Sequence, residues 1–294
     1  MHHPTQHRRQ FLAAGAAGLA ALPTVADASS TVVASKRAAS FKLGMVTYNI
    51  AAEWDVPTIL KICKETGLAA VELRTTHKHG VEPSLSPDQR REVKHRFADA
   101  GITIWGLGTV CEFQSPDQSV VQKNIETCKA FLELSHDLGG RGVKVRPNGL
   151  PKNVSEAKTL RQIGESLIPC GKEAANLGLE VWVEVHGSGS SHPPCIKTIM
   201  ETADRTNVGI TWNSNKEDIK DGSVRPYFEL LRPWIKSCHI NSIYGSYPYR
   251  ELFNCFKEMN YDRVTLIEIP EKLDPVNGTL LLKYYKRLWQ ELVG

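Results

Sequence analysis

Apolar runs with strand character alternate with amphipathic, helix-periodic segments along almost the whole chain, and this alternation constrains the fold more than any other feature. The strand-like runs lie near Leu43 to Ile50, Ala69 to Arg74, Ile102 to Leu107, Gly142 to Arg146, Leu179 to Val185, Val208 to Trp212, Ile235 to Ile240 and Val264 to Ile269. Between them, helical periodicity runs over Val56 to Thr66, Pro87 to Ala100, Asp117 to Leu138, Ser155 to Leu177, Pro194 to Thr206, Tyr249 to Met259 and Asn277 to Leu292. The stretch around Arg225 to Leu231 has the weakest helical pattern. Ser86-Pro87 is a start signal, and Gly67, Gly101 and Gly178 are stop signals. Parallel strands need a crossover of a dozen or more residues, which a helix supplies. Strands and helices alternating through eight units predict an α/β chain folded as a single (β/α)8 barrel rather than a doubly wound sheet.

In such a barrel the C-terminal ends of all strands face one mouth, so residues far apart in sequence converge there. Glu184 in VEVHG, Asn213 in TWNSN, His239 in SCHIN and Glu268 in IEIP can each ligate a divalent metal. They recur about one βα unit apart, on four successive strand ends. Side chains two apart share a strand face. That parity groups Glu72 with Arg74, Lys144 with Arg146, Glu184 with His186, Asn213 with Asn215 and His239 with Asn241, while Leu73, Val145, Val185 and Ile240 suit the helix side. Any one inward Glu or His commonly has a structural partner instead, but so many polar strand ends together point to an active site.

Residues 1–28 read as a targeting segment. His7-Arg8-Arg9-Gln10-Phe11-Leu12 resembles a twin-arginine export signal, an uncharged run follows from Ala13 to Val25, and Ala26-Asp27-Ala28 fits a peptidase site. The run is too short and too rich in Ala and Gly for a membrane span. Cleavage after Ala28 predicts a periplasmic or extracytoplasmic protein with a linker over residues 29–40, a barrel over 41–294 and no stable span. The formal charge of +4 is spread without a long basic run, so nucleic-acid and membrane binding are not expected. Seven cysteines with no CxxC pattern read as buried thiols, although export would permit a disulfide. An oligomer is compatible with all of this.

From Phe41 to Leu292 the chain resembles the xylose isomerase-like barrel superfamily of sugar phosphate isomerases and epimerases. In that family Glu, Asp of an Asp-x-x-His motif, His and Glu end the fifth to eighth strands and hold one divalent cation. Glu184, His239 and Glu268 match, and VELR at Val71 to Arg74 and KVRP at Lys144 to Pro147 look like its substrate-facing strand ends. Asn213-Ser214-Asn215-Lys216 departs from Asp-x-x-His. With Asn213 offering a carbonyl oxygen, two carboxylates, one neutral imidazole and one amide give ligands of charge −2, balancing a divalent ion. Oxygen-rich coordination with one imidazole suits manganese, magnesium, cobalt or zinc alike.

The resemblance implies a metal-dependent sugar isomerase or epimerase that removes a proton next to a carbonyl, with Glu184 and Glu268 doubling as acid and base. Lys144 is an alternative base if its pKa is depressed, and Arg146 could hold an enediolate oxygen. Glu72, Arg74, His77, Glu112, His186, Asn215 and Lys216 complete the expected small-molecule sugar site. His79 reads as polar loop surface. Trp54, Trp105 and Trp212 lie near expected strand ends, where an aromatic face suits a sugar, with helix packing as the alternative. Export favours an unphosphorylated or keto-sugar. A lyase or dehydratase, or a barrel that only binds sugar, are the competing readings. The superfamily's trinuclear DNA-repair nucleases need several further His and acidic ligands, and the loss of Asp-x-x-His, with no basic patch, argues against that class here.

Overall fold

The computed structural model describes residues 38–294. The expected export segment over residues 1–28, its cleavage site and most of the 29–40 linker lie outside the described residues. The strands are β1 (Lys42–Asn49), β2 (Ala70–Arg74), β3 (Thr103–Glu112), β4 (Gly142–Arg146), β5 (Glu180–Glu184), β6 (Val208–Trp212), β7 (Ile235–Ile240) and β8 (Val264–Ile269). They close in sequence order, β8 pairing back to β1, with every pair parallel. The helices are α1 (Val56–Thr66), α2 (Pro87–Ala100), α3 (Gln118–Leu138), α4 (Glu156–Asn176), α5 (Pro193–Ala203), α6 (Arg225–Leu231), α7 (Tyr249–Glu258) and α8 (Pro275–Val293). The expected (β/α)8 barrel is therefore the observed fold, including the weakly patterned α6.

Capping chemistry sets the helix boundaries. Asp55 accepts from the Thr58 amide at the start of α1, and Ser86 and Gln89 form a reciprocal capping box on α2. Gly67 and Gly101 end these helices with left-handed φ of 66° and 68°, returning amide hydrogens to the last carbonyls. β3 runs five residues past its expected end and carries Glu112 to the barrel rim. Pro169 lies inside α4, where it removes one backbone donor without ending the helix.

The N-terminal floor of the barrel is plugged by two indole rings. Trp105 and Trp182 stack with centroids 5.3 Å apart and an interplanar angle of 15°, packed among Val46, Ala70, Val264 and Leu266. Trp182 fits because its neighbours lack side chains: a Cβ on Gly106 would stand 2.6 Å from the ring, and one on Gly142 2.9 Å. Trp105 enters the same space through a bulge, since Val71 pairs with Ile104 but Glu72 pairs with Gly106. Below the rings Glu180 accepts from Trp182 Nε1 at 2.8 Å and from Arg263 at 2.8 and 2.7 Å, and Trp105 Nε1 donates to Ser237 at 3.1 Å.

The tryptophans expected near the mouth prove structural. Trp105 is part of this floor. Trp54 is buried, donates to the Leu273 carbonyl at 2.9 Å and packs against Gly278. Trp212 points to the helix side, as its strand parity requires, and donates to Tyr247 Oη at 2.9 Å. All seven cysteines are buried and free, in accord with the thiol reading. Among the described residues no helix is long and apolar enough to cross a membrane.

Candidate metal centre and active site

Strand parity carries polar side chains from six strands into the C-terminal mouth. β1 contributes Tyr48, β2 Glu72 and Arg74, β4 Lys144 and Arg146, β5 Glu184, the following turn His186, β7 His239 and β8 Glu268. Val46, Tyr48, Arg74, Lys144, Arg146, Glu184, His186 and Glu268 line a cavity of about 80 Å³. Asn213 follows β6 and is 4% exposed.

At the centre, ligand atoms of Glu184, His239 and Glu268 all lie within 4.8 Å of one another. His239 Nδ1 stands 3.6 Å from Glu184 Oε1 and 3.4 Å from Glu268 Oε2. These separations are long for charge-assisted hydrogen bonds. They match ligands that each sit roughly 2.1 Å from one ion. His239 Nδ1 and Asn213 Oδ1 are buried without a hydrogen-bond partner, as is Glu72 Oε1. Since buried polar atoms are nearly always satisfied, an orphaned His239 Nδ1 facing two carboxylates fits a divalent cation. Glu184, Asn213, His239 and Glu268 are the residues that would hold it.

The supporting contacts explain the geometry. Glu72, fully buried, places Oε2 3.4 Å from His239 Nε2 and so fixes the ring with Nδ1 toward the carboxylate pair; a carboxylate behind an imidazole is a common support for metal ligands. Burial alone would lower the His239 pKa, but the nearby carboxylates of Glu268, Glu72 and Glu184 raise it well above the ordinary value. Asn241 Nδ2 donates to the Asn213 carbonyl at 2.7 Å, and Ser214 Oγ to the His239 carbonyl at 2.7 Å, tying the ends of β6 and β7 together. Ser214 takes a left-handed φ of 51° at this turn.

Lys144 and Glu184 form a buried ion pair of 2.6 Å. Burial works against both charges, yet the Lys144 pKa is raised by Glu184, Glu72 and Glu268, and Glu184 is lowered by Lys144 and His239. The condition for Lys144 to act as a base, a depressed pKa, is not met here, because the carboxylates of Glu184, Glu72 and Glu268 around the ammonium outweigh its burial.

Other expected residues are distributed around this centre. Arg146 pairs with Glu112, which also accepts from Asn148, so Glu112 orients Arg146 and is not itself among the cavity residues. Arg74 lines the cavity with its guanidinium 5.3 Å from the Tyr48 ring centroid and donates to the Thr75 carbonyl at 3.0 Å. Glu72 lies behind His239 rather than at the cavity surface. His77 Nδ1 is 3.1 Å from Thr47 Oγ1, and burial lowers its pKa to about 4; Thr47 Oγ1 in turn accepts from the Arg74 amide at 2.9 Å. His79 is buried, not loop surface: Nε2 lies 2.9 Å from the Arg74 carbonyl and Nδ1 accepts from the Val81 amide at 3.0 Å.

Asn215 accepts from Asn213 Nδ2 at 3.5 Å and donates to the Val185 carbonyl. Lys216 does not reach the cavity. It sits on a short 3-10 turn, Lys216–Asp218, with its side chain 89% exposed and 3.9 Å from Glu217. The turn is anchored instead by Asp218, which is fully buried and accepts from the Asn215 amide at 2.7 Å and Tyr247 Oη at 3.3 Å. Burial pushes the Asp218 carboxyl up to about 7. Tyr48 was missed as a cavity residue, although it lies two positions past Val46 on the face that parity assigns to the barrel interior.

A family model described as xylose isomerase-like TIM barrel matches residues 60–283. No curated protein matches by sequence. Among solved structures the barrel is similar to D-psicose 3-epimerase with D-tagatose from Clostridium cellulolyticum H10, at 14% identity and a TM-score of 0.71 over 86% of this chain and 99% of that one. It is similar to 3-keto-D-glucoside 4-epimerase from E. coli, at 16% identity and a TM-score of 0.70 over 84% and 99%. A probable 3-DHS dehydratase from Bacillus anthracis gives 16% identity and a TM-score of 0.65 over 84% and 99%. At such identities the likeness carries the fold.

Proposed function

We propose a function on one premise: the chain belongs to the xylose isomerase-like TIM barrel family. It is a metal-dependent isomerase or epimerase that moves a proton at the carbon next to the carbonyl of an unphosphorylated or keto-sugar outside the cytoplasm. The observation that carries this reading is the converging set of Glu184, His239 and Glu268 with the orphaned Asn213 oxygen beside a cavity lined by two arginines. The solved barrels of similar shape include two sugar epimerases by name. The extracytoplasmic location rests on His7 to Leu12 and the run that follows.

A bound divalent cation supplies Lewis acidity toward a carbonyl oxygen and its neighbouring hydroxyl. Glu184 and Glu268 are carried on strands of opposite flanks of His239, and each can accept or return a proton at the carbon next to the carbonyl. Lys144 holds Glu184 ionised and in place. Arg146, oriented by Glu112, and Arg74 offer positive hydrogen-bond donors to the oxygen on which charge develops. His186 Nδ1, buried without a partner, is free to bond a substrate hydroxyl. The cavity is far below the ~300–1,000 Å³ usual for ligand pockets, so it takes the reacting end of a sugar while the rest extends outward.

The test is metal content of the purified protein by inductively coupled plasma mass spectrometry after dialysis, then incubation with keto-sugars in deuterated water. About one divalent ion per chain, with deuterium entering the sugar without new unsaturation, is the expected result. An unsaturated product would assign the dehydratase chemistry that the similarity to the 3-DHS enzyme keeps in view. No ion after added manganese, zinc or cobalt, and no exchange, would leave a barrel that only binds sugar.

A further inference from the structure

A second, larger cavity adjoins the first. It measures about 430 Å³ against about 80 Å³ for the inner one, and His186 lines both. Its other walls come from the turn after β5, including Ser188, Ser191 and His192, and from the turn after β6, including Asn215 and Glu217. Both turns leave C-terminal strand ends, so the two spaces open on the same mouth of the barrel.

This outer wall is built, not loose. Ser190 Oγ accepts from the Gly149 amide at 2.8 Å and donates to the His186 carbonyl at 3.1 Å, bracing the β5 turn against the β4 turn. Gly187 has a φ of +101°, and a Cβ there would stand 2.5 Å from the Gly149 nitrogen, so only glycine permits the close approach. Asn215 is held on the opposite wall by the Val185 carbonyl and by Asp218 on its amide.

The chemistry of the two spaces differs. The inner cavity carries Arg74, Lys144 and Arg146 beside the carboxylates. Among the residues lining the outer cavity there is no lysine or arginine; they are hydroxyls, amide, imidazole and the carboxylate of Glu217. A phosphate or carboxylate would be repelled by Glu217, and Lys216, the cation 3.9 Å from that carboxylate, is 89% exposed and outside the lining, whereas a ring of neutral hydroxyls finds donors and acceptors on both walls. We propose that the outer cavity is a subsite for a second, neutral sugar ring, so that the substrate is a disaccharide or other glycoside whose oxidised ring enters the inner cavity. The assignment rests on the keto-sugar reading of the inner site. His186, at the junction, faces the glycosidic link.

Two probes test it on the metal-loaded full chain: methyl 3-keto-D-glucoside and a 3-keto disaccharide carrying the same oxidised ring. The disaccharide is expected to show at least a tenfold higher kcat/KM, mostly through KM. Saturation-transfer NMR is expected to show its second ring in contact with the protein. Ser188→Trp, placed in the outer wall away from the metal residues, is expected to erase both signals while methyl glycoside turnover stays within twofold. Equal kcat/KM for the two probes and no second-ring contact overturn the subsite and leave the keto-sugar reading standing. Second-ring contact sensitive to Ser188→Trp, but no turnover of either probe, keeps the subsite and rejects the isomerase or epimerase reading. No second-ring contact in any condition rejects the subsite.

Discussion

The floor and the mouth of this barrel are built from the same eight strands, yet one is complete and the other is not. At the floor, the Trp105 and Trp182 rings fill the space left by glycines, and Glu180, Arg263 and Ser237 satisfy the polar atoms around them. At the mouth, buried atoms of Glu72, His186, Asn213 and His239 have no partner, and like charges crowd around one imidazole. A self-satisfied interior stabilises the fold, whereas an interior with orphaned ligand atoms is arranged for something else to bind. The contrast separates residues whose loss costs stability from those whose loss costs chemistry.

The largest expected effect breaks the mouth alone. Glu268→Gln and Glu184→Gln should each lower turnover by roughly 10²–10⁴-fold, the range for losing a positioned acid or base, with metal occupancy falling as well. Steady-state kinetics paired with metal analysis checks this; full turnover and occupancy in both variants would remove the central claim. Glu268→Gln should unfold at nearly the parental urea midpoint in the metal-free state, whereas Glu184→Gln, which leaves the buried Lys144 ammonium without its ion-pair partner, should unfold at a lower one.

At the floor the reverse is expected. Trp182→Ala should cost about 3–5 kcal/mol by opening a cavity between Gly106 and Gly142, measured by urea denaturation. Where the variant is still folded, its kcat should lie within a few-fold of the parent. A stable but inactive Trp182→Ala protein would show that floor and mouth are coupled.

Lys144→Met sits between the two cases. It leaves Glu184 charged and buried, which should cost up to about 3–5 kcal/mol in the metal-free protein. Added manganese should recover much of this, since a cation beside Glu184 replaces the missing positive charge. An equal cost with and without metal would place the cation elsewhere.

The smallest expected effect concerns Asp218 beneath the 3-10 turn. Its pKa of about 7 lies above the ordinary 3.8, so the folded protein binds this proton more tightly than the unfolded chain. Its contribution is therefore favourable at low pH and is lost as pH rises from about 4 through about 7. Asp218→Asn should remove that dependence and make the metal-free protein more stable at pH 8, on the order of 1–3 kcal/mol, given 1.36 kcal/mol per pKa unit. Urea midpoints of both proteins at pH 5 and pH 8 read the difference. A parallel pH dependence in the two would place the proton elsewhere. His77 and His79, lowered to about 4 by burial, work in the opposite sense below pH 6.5, and comparing the variant with the parent cancels them.

Local rules carried a long way. Period-two parity placed Lys144 with Arg146 and Glu184 with His186 on the inner face, because a strand leaves a side chain no other choice. The same parity would have found Tyr48 on β1. Neither the mouth nor helix packing, the two places expected for Trp105, is where it lies, because a bulge opposite β2 turns the ring into the floor. Spacing could not show that His79 folds back on the Arg74 carbonyl, that Lys216 stays in solvent, or that Glu72 stands behind His239, because each depends on how a turn packs against a neighbouring strand.

What the chain determines by itself is the alternation of strands and helices, the caps that bound them and the four candidate ligands spaced one unit apart, all consequences of short-range backbone geometry and hydrophobic period. Only closure of the barrel decided the rest. It brought β8 back to β1, set His239 between Glu184 and Glu268, and surrounded Lys144 with three carboxylates that keep its proton on. Electrostatics at a strand end depends on charges from other strands a few ångströms away, and those distances exist only in the folded molecule.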